Sequence, residues 1–412
     1  MTTDRLPAQA EGDARTDEPI PGRWGSLASA TTAQVGVSYL EQGVAALVPY
    51  IKAEFGLSSA VAGIFGTSMN IGRAFSGTLA IGPVSRYGER RMILAGGAAS
   101  GALALLASAS PTAPLTLVLL LASGALQALS ILAGIVAVAV WFRGGRRGIA
   151  MGVRQAAVPV GGMLAAASLP FLALEIGWRP ALAIAGGTSI LASLVGALTY
   201  RHHGAADARP VRRERISTAV RGVLRDRRVS RAVFAGTMLA GGQFITLTYI
   251  QLFLVEDLGT TLHFAAIVLL LTQIGGFAGR LIWGALSDLR FGGRRRGVLL
   301  AILLLAACGA IGMSLADEDT ATSIAVPMAI LLGFTTAGSP GIYIALISDL
   351  SPARGGVATM GVGIMVIQGS AIVIPPIFGA LADGTGSYRL GWIVLAALML
   401  LTMPAVYSLR NA

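Results

Sequence analysis

Four charged residues lie inside long apolar runs of this chain. Glu41 sits in Tyr39-Leu40-Glu41-Gln42-Gly43 and Arg73 follows Asn70-Ile71-Gly72. Arg154 precedes Gln155, and Arg280 sits in Gly279-Arg280-Leu281-Ile282-Trp283-Gly284. An ion held in hydrocarbon costs about 3 kcal/mol or more unless it has a partner or a task. A guanidinium suits a carboxylate, because its planar fork makes two parallel hydrogen bonds. A carboxylate in low dielectric is drawn toward its protonated form unless a cation holds it ionised. The chemistry these residues offer is therefore anion capture by arginine and proton carriage by Glu41.

Spacing sets what each can reach. A rise of about 1.5 Å per residue puts Glu41 about 21 Å along the first apolar run and Arg73 about 18 Å from the end of the second. The two runs are sequential and antiparallel, so the charges can meet. Three readings stay open: a fixed ion pair that ties two helices, a proton-carrying Glu41 modulated by Arg73, or direct contact of Glu41 with substrate. Arg280 lies about 12 Å from the end of its run. It either binds an anion, snorkels to the surface or pairs with Asp288, two turns along the same helix. Arg154, about 9 Å from a surface, either snorkels, gates or contacts substrate, the first two being favoured.

The elements that must position these groups are membrane spans. The 412 residues are 54% hydrophobic and 12% charged, and the mean hydropathy is +0.73. A soluble chain carries about 25% charged residues, so most of this surface must face lipid. A transmembrane helix needs about 20 apolar residues. Twelve runs qualify: Leu27–Tyr50, Ser59–Val84, Met92–Ala109, Pro114–Val140, Ile149–Leu172, Pro180–Tyr200, Ala232–Val255, Leu262–Ser287, Val298–Leu315, Ser323–Ser348, Val357–Ala382 and Arg389–Leu409. The expected fold is an all-α integral membrane protein of 12 transmembrane helices in two pseudo-symmetric six-helix bundles. Residues 1–26 form a disordered tail, 27–200 the first bundle, 201–230 a basic connector and 231–412 the second bundle.

Charge sets the orientation. Of the 31 basic residues, 25 fall on the tail, the connector and the turns on their side, and three (Lys52, Arg179, Arg389) fall on the other side. The positive-inside rule then places both termini in the cytoplasm of a cell whose plasma (inner) membrane the chain crosses. The same distribution explains the net charge of +11 by topology and anionic lipid rather than nucleic acid. One cysteine, Cys308, and three histidines exclude a disulfide framework and a metal cluster. No phosphate-binding glycine loop precedes a lysine, so energy has to come from a gradient. No cofactor and no metal site is expected.

The halves echo each other at an offset of 203: Gly56 falls on Gly259, Asn70 on Gln273 and Ser85 on Asp288. The same shift lays Arg73 on Gly276 and Arg280 on Gly77. The two arginines are one turn apart on equivalent helices, hence on one face. Two cations against one acid suit an anionic cargo.

The close Gly284-Ala285-Leu286-Ser287-Asp288, followed by the cluster Arg294, Arg295, Arg296, resembles the loop signature of the major facilitator superfamily of transporters. That resemblance implies two six-helix halves with substrate between them near the midplane, and it implies that Asp288 gates. In the first half the signature is degraded: Ser85 replaces the aspartate, leaving Arg86 and Arg90 as gating candidates. Gly279-Arg280-x-x-Trp283-Gly284 is similar to the eighth helix of monocarboxylate porters and oxalate–formate exchangers, in which the arginine binds the substrate carboxylate. Gln368 stands where the exchangers carry a lysine, which argues against a doubly charged substrate. The resemblance also implies that the first, fourth, seventh and tenth helices face the cavity. Tyr39, Gln42, Gln127, Tyr249 and Tyr343 are then candidate substrate contacts.

The expected function is secondary active transport of a small organic anion, a monocarboxylate, by alternating access with a proton as symported partner. The expected unit is a monomer and not an enzyme. The alternative is a drug–proton antiporter for hydrophobic or cationic compounds. Val158-Pro159-Val160-Gly161-Gly162 resembles part of the motif of such antiporters, although a proline-kinked helix of small residues explains it equally. Pro375-Pro376 is its counterpart in the eleventh span.

Overall fold

The computed structural model describes residues 22–77, 79–142, 147–200, 223, 225–289, 295–350 and 356–409. The expected tail before residue 22, most of the connector, and Arg294 lie outside the described residues. Among the described residues all regular structure is helical. Ten helices are long and apolar enough to cross a membrane.

The first two spans are the ones that fall outside that set. The first is two helices, Arg23–Ala46 and Val48–Phe55. The second is Ser59–Ser76 followed by the short helix Ile81–Tyr87. Their polarity explains this: they carry Gln34, Glu41, Gln42, Asn70 and Arg73 among small residues. Gly56 ends the first span at φ 59, a left-handed conformation that glycine adopts without strain. Ser58 then caps the second span by accepting from the Val61 amide at 3.3 Å.

The remaining spans are Glu89–Ser108, Ala113–Trp141, Arg147–Ile176, Trp178–Thr199, Arg227–Glu256, Leu262–Leu289, Arg295–Leu315, a broken tenth span, Gly356–Thr385 and Arg389–Tyr407. The seventh starts at Arg227, five residues before the expected Ala232, because Asp226 caps it through the Arg228 amide at 2.8 Å. The tenth is π-helical over Ala321–Ala325 and Gly333–Ala337, with α-helices Val326–Leu332 and Pro340–Leu350 between and after. Pro340 lacks an amide hydrogen, so the Thr336 carbonyl accepts from the Ser339 hydroxyl at 2.9 Å instead.

The halves meet mainly where the second span packs on the eleventh and the fifth on the eighth. Exchange of the two halves converts one pairing into the other, as the 203-residue repeat requires. Small residues allow these and other close approaches. Gly72 abuts the Leu121 carbonyl, and Gly124 abuts the Met69 backbone.

A side chain at Gly124 would place its Cβ 2.1 Å from the Met69 carbonyl oxygen, and backbone cannot yield there. We predict that Gly124→Val destabilises the protein by about 2 kcal/mol or more. Gly187→Ala, at a helical glycine with open space beside it, should be neutral or stabilising. Melting temperatures of the two purified variants test this; equal losses would contradict the packing described.

Candidate functional site

Glu41 and Arg73 form a two-bond ion pair inside the N-terminal half. Arg73 Nη1 lies 2.5 Å from Glu41 Oε2, and Nη2 donates to Oε1 at 3.0 Å. Nη1 also donates to Gln127 Oε1 at 3.2 Å, and Nη2 to Asn70 Oδ1. The Gln127 amide nitrogen in turn donates to the Val37 carbonyl at 3.0 Å. The first, second and fourth spans are thus joined around one carboxylate. The pair is not fully buried: its side chains are 18% and 13% exposed. Gln127, expected at the substrate, is instead fully buried and supports the pair.

One residue beyond Glu41, Gln42 faces the other half. Its amide donates to the Val158 carbonyl at 2.8 Å, and its Oε1 accepts from Gln273 Nε2 at 2.6 Å. Gly162 leaves room for both amides. Gln273 and Arg280 are two helical turns apart on the eighth span, so they share a face. That face is the one Gln273 turns toward the N-terminal half.

Arg280 is positioned by the π segment of the tenth span. Its Nε donates to the Ala337 carbonyl at 3.1 Å, and Trp283 Nε1 donates to the Phe334 carbonyl at 2.8 Å. In the π register Gly338 N bonds Gly333 O at 3.1 Å. An α-register bond would have taken Gly338 N to Phe334 O; the shift leaves that oxygen for Trp283. Gly279 lets the two helices touch, since a Cβ there would meet Phe334 O. Among the described residues neither Nη of Arg280 carries a hydrogen bond. Arg280 lines a pocket of about 190 Å³ with Gly284, Ser287, Arg295, Gly338, Gly341, Ile342 and Ala345. Tyr343, next to Ile342 of that lining, is buried.

The other expected residues are dispersed. Tyr39 bonds Ser168 at 2.8 Å within the N-terminal half. Gln368 is half-buried, with no hydrogen bond among the described residues. Arg154 does not snorkel: it is 1% exposed, donating to Gln34 Oε1 at 2.7 Å and to the Ile131 carbonyl at 2.8 Å. The close approach of Gly134 accommodates the guanidinium, so the side chain turns into the bundle. Arg86 lies over the Tyr87 ring, and Arg90 ties the third span to the sixth through the Ala197 carbonyl at 2.7 Å. Asp288 lies in the last turn of its helix; its side chain is outside the described set.

Tyr249 belongs to a feature the sequence reading missed. It is fully buried, with its hydroxyl 2.9 Å from the Ser59 carbonyl and 2.7 Å from the Pro375 carbonyl. Around it, Lys52 pairs with Glu256 at 2.6 Å and donates to Tyr388 at 3.1 Å. Asp383 accepts from the Ser59 and Ala60 amides at 2.6 and 2.9 Å, and Gln251 donates to the Ala46 carbonyl at 3.1 Å. Every described hydrogen bond and ion pair between the halves lies from Gln42 toward this Lys52 end. The repeat held a signal for it: the 203 shift puts Lys52 beside Glu256, opposite charges on equivalent span ends.

The comparisons with known proteins agree with the fold. The family model of the Major Facilitator Superfamily matches residues 30–368 and 232–412. The chain belongs to that superfamily and is a multi-pass membrane transporter. An uncharacterised MFS-type transporter of Mycobacterium tuberculosis is 25% identical over 95% of this chain and 86% of its own. Mouse monocarboxylate transporter 11 is 27% identical over 62% of this chain and 58% of its own. Among solved structures, a nucleoside transporter superposes with a TM-score of 0.78 at 14% identity, covering 94% of this chain and 100% of that one. A D-xylose–proton symporter gives 0.75 at 15% identity, covering 94% and 97%. A bacterial homologue of the lysosomal transporter Spinster in an inward-facing, occupied state gives 0.73 at 14% identity, covering 95% and 97%. At these identities the structures share the fold alone.

Glu41→Gln should destabilise the protein by about 3 kcal/mol, because Arg73 is left buried without its counter-ion. Glu41→Gln combined with Arg73→Gln should recover most of that loss. A double-mutant cycle on melting temperature checks this; strictly additive losses would show that the pair is not coupled.

Proposed function

We propose that this transporter moves a small organic anion, a monocarboxylate, in symport with a proton. The observation that carries the reading is Arg280: its Nε is fixed by a carbonyl, the two Nη that would fork a carboxylate carry no hydrogen bond among the described residues, and the residue lines a pocket. The similarity to mouse monocarboxylate transporter 11 supports the cargo class, and the D-xylose–proton symporter supports proton coupling within this fold. Glu41 is assigned the proton. Arg73 grips its carboxylate with two bonds. Movement of the second span against the first would loosen that grip and let the proton on.

With both termini in the cytoplasm, as the basic residues favour, the Lys52 end faces outward. The seal of Lys52, Glu256, Tyr388, Tyr249 and Asp383 is then an outer gate, and the conformation is inward-facing. Its opening would expose Gln42, Gln273 and Arg280 in turn. Cations at the pocket oppose the alternative of cationic drug export. Gly161 and Gly162 support close packing of the fifth span: Gly161 rests against the Val35 carbonyl of the first span, and Gly162 against Gln42 and Gln273.

In proteoliposomes, uptake of a labelled short-chain monocarboxylate should rise as external pH falls. Arg280→Ala should lower kcat/KM at least tenfold, from a loss of about 2 kcal/mol of charge-assisted bonding. Arg280→Lys should fall between, since an ammonium keeps the charge without the fork. A folded Arg280→Ala variant that transports monocarboxylates normally would overturn the reading.

A further inference from the structure

The pocket at Arg280 holds more unmet donors than one arginine supplies. Ser287, on the same helix, is 2% exposed, and its hydroxyl has no hydrogen-bond partner. Helical serines and threonines in apolar surroundings normally donate to their own preceding turn. Thr67, Thr272 and Thr336 do so here, to the Gly63, Val268 and Leu332 carbonyls. Ser287 does not, and it lines the pocket.

Arg295, the first residue of the ninth span, lines the pocket from the opposite side. Its Nη1 is buried and makes no hydrogen bond. It lies 3.1 Å from Asp349 Oδ2, close enough for an ion pair, without the alignment of a hydrogen bond. The Asp349 side chain is 54% exposed, so water shares that charge. Gly284 and Gly341 leave open space on the pocket walls. The cluster is thus two guanidiniums, one of them ion-paired to Asp349, and a hydroxyl without a partner, on residues that line a volume of about 190 Å³. Buried donors of this kind are costly when left unpaired, and a negatively charged oxygen group satisfies all three.

We infer that Arg280, Ser287 and Arg295 form one oxyanion-binding site, lined by residues of the eighth, ninth and tenth spans of the C-terminal half. The inference rests on Arg280 as an anion ligand. It adds two ligands and places the anion in one half rather than across both. The oxyanion comes either from a solute, as a carboxylate or phosphate, or from a lipid phosphodiester at the membrane surface.

The test uses purified full-length protein, first in phospholipid-free micelles with acetate or inorganic phosphate at constant ionic strength. It then uses nanodiscs of phosphatidylcholine with and without phosphatidylglycerol. The readout is the rise in melting temperature with added anion. Ser287→Ala removes a hydroxyl that bonds nothing in the protein, so the unliganded variant should melt as the wild type does. Ser287→Ala and Arg295→Gln should each weaken the stabilising anion about tenfold. Asp349→Asn, which frees Arg295, should tighten it.

Stabilisation by acetate or phosphate that these two variants lose establishes the site with a solute as source. Stabilisation by phosphatidylglycerol alone, lost in the same variants, establishes it with lipid as source. No stabilisation by any of the three, or equal stabilisation of wild type and variants, overturns it. The transport reading fails separately. Normal flux in Arg280→Ala with binding lost in Ser287→Ala and Arg295→Gln leaves the site standing and removes the transport role. Lost flux in Arg280→Ala with full affinity in the other two does the reverse.

Discussion

A guanidinium inside a bilayer needs an acid, a set of neutral oxygens or a ligand. Arg73, Arg154 and Arg280, away from the span ends, meet that need in three ways. Arg73 has an acid, Glu41, with both forks engaged. Arg154 has neutral oxygens, the Gln34 amide and the Ile131 carbonyl, and is closed off from water. Arg280 has one carbonyl and an open pocket. Arg154 leaves only its buried Nε without a partner, whereas Arg280 is bonded through Nε alone and both its Nη are without a hydrogen bond among the described residues; that difference separates a binding residue from structural ones.

The fold is arranged to keep that difference. The π register of Gly333–Ala337 frees a carbonyl for Trp283 and brings the Ala337 carbonyl to Arg280. Gly279 and Gly338 bring the two helices close enough for these bonds. Toward the Lys52 end, ion pairs, amide caps and a buried tyrosine hold the halves together. The Gln42–Gln273 bond marks where that contact stops and the face carrying Arg280 begins. One set of helices therefore carries both the gate and the binding charge, and a movement of one half against the other must affect both.

Much of this was legible in the sequence. Apolar length gave the spans, the 203-residue repeat gave the two halves, and helical rise brought Glu41 to the depth of Arg73. Features that depend on tertiary contact were not legible. The breaks in the first two spans follow from polar groups whose partners lie on other helices. The π segment Gly333–Ala337 arises where the eighth and tenth helices meet, and Ala321–Ala325 where the tenth meets the ninth; no local pattern announces either. The substrate role given to Tyr249 and Gln127 came from family position alone; their hydroxyl and amide groups serve helix contacts here. Arg154 lay within reach of the surface, yet the room beside Gly134 and the Gln34 amide drew it inward. Ser287 and Arg295 could not be joined to Arg280 without knowing that the ninth span begins beside the eighth.

The most direct measurement is an experimental structure of the protein with a bromine-bearing short-chain carboxylate bound, the halogen marking the ligand. The account predicts carboxylate oxygens within hydrogen-bond distance of both Arg280 Nη atoms and the Ser287 hydroxyl, with the Glu41–Arg73 pair free of ligand. Ligand density seated on Glu41, or anywhere that leaves the Arg280 guanidinium untouched, would contradict it.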